Sequence, residues 1–230
     1  MILAVRLYLG SPLALPNRGV VMGDALLHAA TVRMKYPDAA RRTPDQWEPI
    51  ALPVKTIDTE SGPMYAVSAM MTPRMELHTD TIYKRSSNLF RPGENASGPL
   101  KGSMTQLRLV AVPYLEFLVD TDSPQINELR VVVDRLARMS VGFKTNIGFG
   151  QIVRIAVRRS PLPSAIAGPD GCVLRPVPVD YAESQGYQGV KRLHAVAPPY
   201  FGAPMVSCVT RDFEAVQVVP NLTEETQTGS

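Results

Sequence analysis

One stretch constrains the fold of this chain more than any other. Residues 123–158 spell a helix, then a turn with three glycines in nine residues, then an alternating strand. Asp122 fits an N-cap, Pro124 falls in the first turn, and Gln125 stands three residues after Asp122. Ile126, Leu129, Val132, Val133, Leu136 and Met139 share one stripe of a helix over 123–139, and Arg130, Arg135 and Arg138 fall off it. The turn reads Gly142-Phe143-Lys144-Thr145-Asn146-Ile147-Gly148-Phe149-Gly150, and Gln151 to Arg158 alternates as a strand should.

The rest of the chain supplies elements around that unit. Residues 2–9 alternate as a first strand. Met22, Ala25, Leu26, Ala29 and Val32 make one face of a helix over 22–35, which Tyr36-Pro37 ends. Residues 50–57 and 64–71 read as two strands around the turn residues 60–63. Residues 104–112 and 114–120 read as two more, broken at Pro113. Residues 72–103, with prolines, glycines and many polar groups, read as an inserted loop. From 160 onward the chain is punctuated by proline, with short strands at 172–179, 190–196 and 206–219, and a polar tail over 220–230. The order predicts an α+β fold, a ferredoxin-like β-α-β-β-α-β domain over 1–158. A mostly β extension over 159–219 follows it.

Charge is uneven along this chain of 230 residues and net charge +3. Between Arg74 and Arg108 six Lys and Arg face three acids, and between Arg130 and Arg159 seven face Asp134 alone. A fold that joins the two blocks makes a surface for a polyanion; a fold that separates them makes only solvated faces. No run of about 18 apolar residues exists for a membrane helix. The N-terminus reads as a strand without a basic leader, which points to the cytoplasm. Cys172 and Cys208 stand far apart, without the spacing of a disulfide framework or zinc site, so neither metal nor cofactor is expected.

Two segments carry candidate chemistry. In the turn, Gly142, Gly148 and Gly150 would let backbone amides approach a ligand, Lys144, Thr145 and Asn146 suit phosphate, and Phe143 and Phe149 suit a base. The alternative is a tight turn whose glycines serve only its backbone. The second segment, Tyr83-Lys84-Arg85-Ser86-Ser87-Asn88-Leu89-Phe90-Arg91, mixes cations, hydroxyls and aromatics; it is either a nucleic-acid contact or an exposed basic loop. His28, on the first helix, is either a general base for RNA cleavage or a helix residue with no chemical task. Trp47 reads as a packing anchor in a polar loop.

The helix, the G-x5-G-x-G turn and the basic strand resemble the RAMP superfamily of CRISPR RNA-binding proteins. Ser11-Pro12-Leu13, Met22-Gly23-Asp24-Ala25-Leu26-Leu27, Tyr65-Ala66-Val67-Ser68-Ala69 and Lys84-Arg85-Ser86-Ser87 are similar, in that order, to motifs of its Cas-five-like subunits from type IV effector complexes. Gly23 stands where that pattern has a hydrophobic residue. The resemblance spans about residues 1–158 and implies a non-catalytic subunit that caps the 5′ handle of the guide RNA. It implies contacts with the backbone and large-like subunits, and a position near the protospacer-adjacent motif of target DNA. Gly142, Lys144, Thr145, Gly148 and Gly150 would then lie against RNA, and Lys84, Arg85 and Ser86, with Ser87 and Arg91 beside them, would form a second contact or thumb. One competing reading is a metal-independent repeat-RNA endonuclease with His28 as base and Tyr83 or Lys84 assisting. Another is a protein-interaction module without nucleic acid.

Overall fold

A computed structural model describes residues 1–15, 20–36, 50–84, 103–200, 203–211 and 216–219. Along the chain run β1 (Ile2–Leu9), β2 (Leu13–Ala14), α1 (Gly23–Lys35), β3 (Thr56–Thr59), β4 (Gly62–Tyr65), β5 (Met71–Thr72), β6 (Glu76–Lys84), β7 (Ser103–Ala111) and β8 (Leu115–Asp120). Then come α2 (Ile126–Leu136), β9 (Ile152–Arg159), β10 (Val177–Pro178), α3 (Val179–Ser184), β11 (Val190–His194), β12 (Val206–Thr210) and β13 (Gln217–Val218). The fold is α+β, mostly strand with few helices.

The central sheet has the order β13-β5-β8-β1-β9. Its pairs are antiparallel except β13 with β5, which run parallel. The period of two assigns each strand's residues to faces. Leu3, Val5 and Leu7 of β1, with Leu115, Phe117 and Val119 of β8, enter the main core with Leu26 and Leu27 of α1 and Leu129, Val132, Val133 and Leu136 of α2. Burying each such side chain stabilises the fold by roughly 1.5–3 kcal/mol. On the opposite face Ala4, Met71 and Leu118 pack under Ala165 and Leu174 of the C-terminal part. The sheet is therefore covered on both sides over part of its area.

Gly23 has a packing reason. A Cβ there would lie 2.6 Å from Cδ2 of Phe117 and 2.9 Å from the carbonyl oxygen of Ser68, so α1 sits against β8 at a distance only glycine permits. The next residue, Asp24, is fully buried and meets Arg175, also fully buried, at 3.1 Å. The Tyr200 hydroxyl donates to Asp24, 2.7 and 2.8 Å from its two carboxylate oxygens. Burial and then the Asp24 carboxylate push the Tyr200 phenol well above its ordinary pKa, so it remains a donor. Arg175 donates further to the carbonyls of Tyr65, Val67 and Val196. One guanidinium thus ties the C-terminal part to the start of α1 and to the segment after β4.

Several expectations change. The expected loop over 72–103 begins as strand: Glu76–Lys84 pairs along its whole length with Ser103–Ala111, as Thr79, Thr81, Ile82 and Tyr83 favour. The hairpin after residue 50 is shorter than expected, Thr56–Thr59 against Gly62–Tyr65. The second helix opens with a 3-10 turn, Ser123–Gln125, before α2. Of the strand expected over 172–179 only Val177–Pro178 pairs, and helix α3 follows at Val179, with Pro178 immediately before it and Asp180 in its first turn. Trp47, Arg85, Ser86, Ser87, Arg91 and the tail over 220–230 lie outside the described residues.

Candidate nucleic-acid interface

The glycine turn is closed by an antiparallel bridge between Ser140 and Gln151. The Val141 amide donates to the Gly150 carbonyl at 2.9 Å, and the Ile152 amide to the Met139 carbonyl at 3.0 Å. Within it Thr145–Ile147 forms a 3-10 turn flanked by Lys144 at φ 55° and Gly148 at φ 97°. Gly150 is at φ +64°, and a Cβ there would stand 1.9 Å from the Val141 carbonyl oxygen. Its amide already donates to the Pro12 carbonyl at 2.9 Å, as that of Phe143 does to Ala14 at 2.8 Å. The amides of Ile147 and Gly148 also bond within the turn. The buried Gly150 and the left-handed Gly142 and Gly148 therefore shape the turn itself. What the turn offers outward is side chains: Lys144 and Thr145 half-exposed, and Asn146 and Phe143 exposed. The Lys144 ammonium stands 5.1 Å from the centre of the Phe143 ring.

Phe149 turns the other way. It packs on Ala14 of β2 and Leu107 and Leu109 of β7, in a small core that Ile82 of β6 also borders. The β6–β7 hairpin runs from the pair Glu76↔Ala111 to Lys84↔Ser103, about 27 Å at the rise of an antiparallel strand. β2 pairs with the outer side of β7. The glycine turn and the root of the hairpin thus share one core, and β6 carries Tyr83 and Lys84 outward from it. The structure thus joins the glycine turn to the β6–β7 hairpin; of the second segment only Tyr83 and Lys84 belong to the described residues.

His28 falls elsewhere. It is 8% exposed on α1, and burial lowers its pKa below 6.5, opposed by the Asp24 carboxylate. One turn earlier on the same side of α1, Asp24 is held by Arg175 and Tyr200 of the C-terminal part. Among the described residues no group of three His, Cys, Asp or Glu is placed to hold a metal ion. Burial pushes the Cys208 thiol up to about 11, so it stays protonated near neutrality. No helix among the described residues is long and apolar enough to cross a membrane.

The sequence reading missed a second cluster, on the sheet face opposite the helices. The Arg154 guanidinium lies 3.6 Å from the centre of the Tyr8 ring, and that of Arg6 3.8 Å from the centre of Tyr114. The two rings are 6.1 Å apart. Arg6 donates to Glu116 at 2.9 Å, and Arg158 donates to the same carboxylate at 3.2 Å. The available signal was the i, i+2 spacing of Arg6 with Tyr8 and of Arg154 with Ala156 and Arg158, which puts each set on one face of its strand.

No protein-family model matches the sequence, and no curated protein matches it. Among solved structures the chain is similar to one from a structure titled "CRISPR RNA-guided surveillance complex", with a TM-score of 0.35 and 11% identity over 73% of each chain.

Proposed function

We propose that the protein is a non-catalytic RNA-binding subunit of a CRISPR effector ribonucleoprotein. More narrowly, we read it as the Cas-five-like subunit of a type IV complex, a RAMP protein of the cytoplasm that caps the 5′ handle of the guide RNA. The observation that carries the reading is the shared core of Phe149, Ala14, Leu107 and Leu109, which joins the glycine turn to the root of the basic-tipped hairpin. The strand order β9-β1-β8-β5, with α1 following β1 and α2 following β8, fits a ferredoxin-like domain with the hairpin inserted before β8. In this reading Lys144, Thr145 and Asn146 hold phosphates of the handle. Lys84, Arg85, Ser86, Ser87 and Arg91 form the second contact. The neighbouring backbone and large-like subunits, and target DNA near its recognition motif, meet the surfaces around them. The burial of His28 weighs against the endonuclease reading, since a general base must reach the ribose hydroxyl it deprotonates.

The test is binding of labelled repeat RNA at two salt concentrations, with the RNA recovered and run on a gel. The protein is purified alone and with co-expressed neighbouring subunits. The expected result is intact RNA bound with an affinity whose logarithm falls linearly with the logarithm of salt. Cut RNA, abolished by His28→Ala, would move the protein to the endonuclease class. No binding in either preparation would overturn the proposal.

A further inference from the structure

We infer that the sheet face bearing Tyr8 and Arg154 is a second RNA site, a platform on which one unpaired base stacks. The inference rests on the RNA-binding reading above and extends it to a surface the sequence motifs do not include. Arg154 is exposed, and its guanidinium lies at stacking distance on the Tyr8 ring. A planar cation laid flat on an aromatic ring keeps its outer plane for a flat ligand, and unpaired bases stack on arginine planes as on aromatic rings. Tyr8 is braced from below by Tyr114, whose own ring carries Arg6.

Charge favours the same ligand. Arg6 and Arg158 both bond one buried acid, Glu116, and Arg154 lies on the same face of β9 as Arg158. The face keeps a positive excess beside the stacking plane, which is what a base with its phosphate requires. An acidic peptide would use the charge and leave the guanidinium plane unused.

The platform adjoins the glycine turn. Arg154 follows Gly150 by four residues along the chain, and Tyr8 precedes Pro12, whose carbonyl holds the Gly150 amide, by four. Four extended residues span at most about 13 Å, so the platform lies within that distance of Gly150, where the turn closes. The C-terminal part covers the other end of this face, over Ala4 and Leu118.

The experiment measures binding of a fluorescein-labelled single-stranded oligouridylate to the full chain, alone and with co-expressed neighbours, for wild type, Arg154→Ala, Arg154→Lys and Lys144→Glu. Arg154 is exposed, so neither of its variants threatens the fold, and thermal melts check this. Loss of stacking lowers affinity about tenfold in Arg154→Ala, and Arg154→Lys loses nearly as much because it keeps the charge but not the plane. Wild-type affinity in Arg154→Lys would overturn the platform. So would weakened binding in Lys144→Glu alone, which leaves RNA binding at the turn intact. If the wild-type protein binds no RNA in either preparation, the platform and the reading beneath it fall together.

Discussion

Replacing Arg175 with methionine tests how the C-terminal part is held. The substitution keeps bulk and removes a guanidinium that is 0% exposed and donates to Asp24, Tyr200 and the carbonyls of Tyr65, Val67 and Val196. Asp24, itself 0% exposed, then keeps only the Tyr200 hydroxyl among these partners. Breaking a buried pair from one side costs about 3–5 kcal/mol, because the remaining charge stays out of water. For a chain of this size each kcal/mol moves Tm by roughly 2–4 °C, so Arg175→Met is expected to lower Tm by roughly 6–20 °C. Arg175→Lys retains the charge but not the fork and should lose most of the same stability. The double variant Asp24→Asn, Arg175→Met removes both charges and should recover part of the loss, giving a favourable coupling between the two residues. Calorimetry supplies the melts, and hydrogen exchange at residues 190–200 should quicken in the single variant. A Tm within about 2 °C of wild type for Arg175→Met would refute the assignment of Arg175 as the tie between the two parts.

Three further outcomes follow from the same geometry. Gly150→Ala places a Cβ on the Val141 carbonyl at a left-handed φ, and its melt should show a loss of at least about 2 kcal/mol. Lys144→Glu, on the exposed tip, should leave Tm unchanged, weaken binding to repeat RNA, and reduce the slope of log affinity against log salt by about one. Burial holds His28 and His194 below their ordinary pKa of 6.5, aided at His194 by the Arg192 charge, so the unfolded chain takes up protons first. The stability this gives is present above pH 6.5 and is lost as pH falls below it, and His28→Gln should flatten the fall of Tm with acid.

Much of the scaffold was legible because its signals are local. The stripe from Leu129 to Met139 is buried as its spacing requires, and the alternation of β1 and β9 gives their faces. The β6 strand was read as loop because Pro73, Pro92 and the glycines around them dominate the segment, while the pairing that makes Glu76–Lys84 a strand is with residues 103–111. The first helix has a second buried side, with Asp24 and His28, that its apolar spacing does not give, because the partners of Asp24 come from residues 175 and 200. The glycine spacing located the turn, but only the Pro12 and Ala14 carbonyls reveal that the Gly150 and Phe143 amides are already engaged. The Tyr8–Arg154 stack joins two strands far apart in the chain, and spacing within either strand cannot announce it.

The bond between Asp24 and Arg175 also sets an order in time. The two residues are 151 apart, and β13, which closes the sheet beyond β5, comes later still. On a ribosome adding about 5–20 residues per second, the first helix waits roughly 8–30 s between its own synthesis and the arrival of its counter-ion. Throughout that interval the Asp24 carboxylate must remain in water, and the β5 edge lacks its last strand. The helix side and the sheet edge that the finished protein hides are thus the surfaces the growing chain shows to its surroundings.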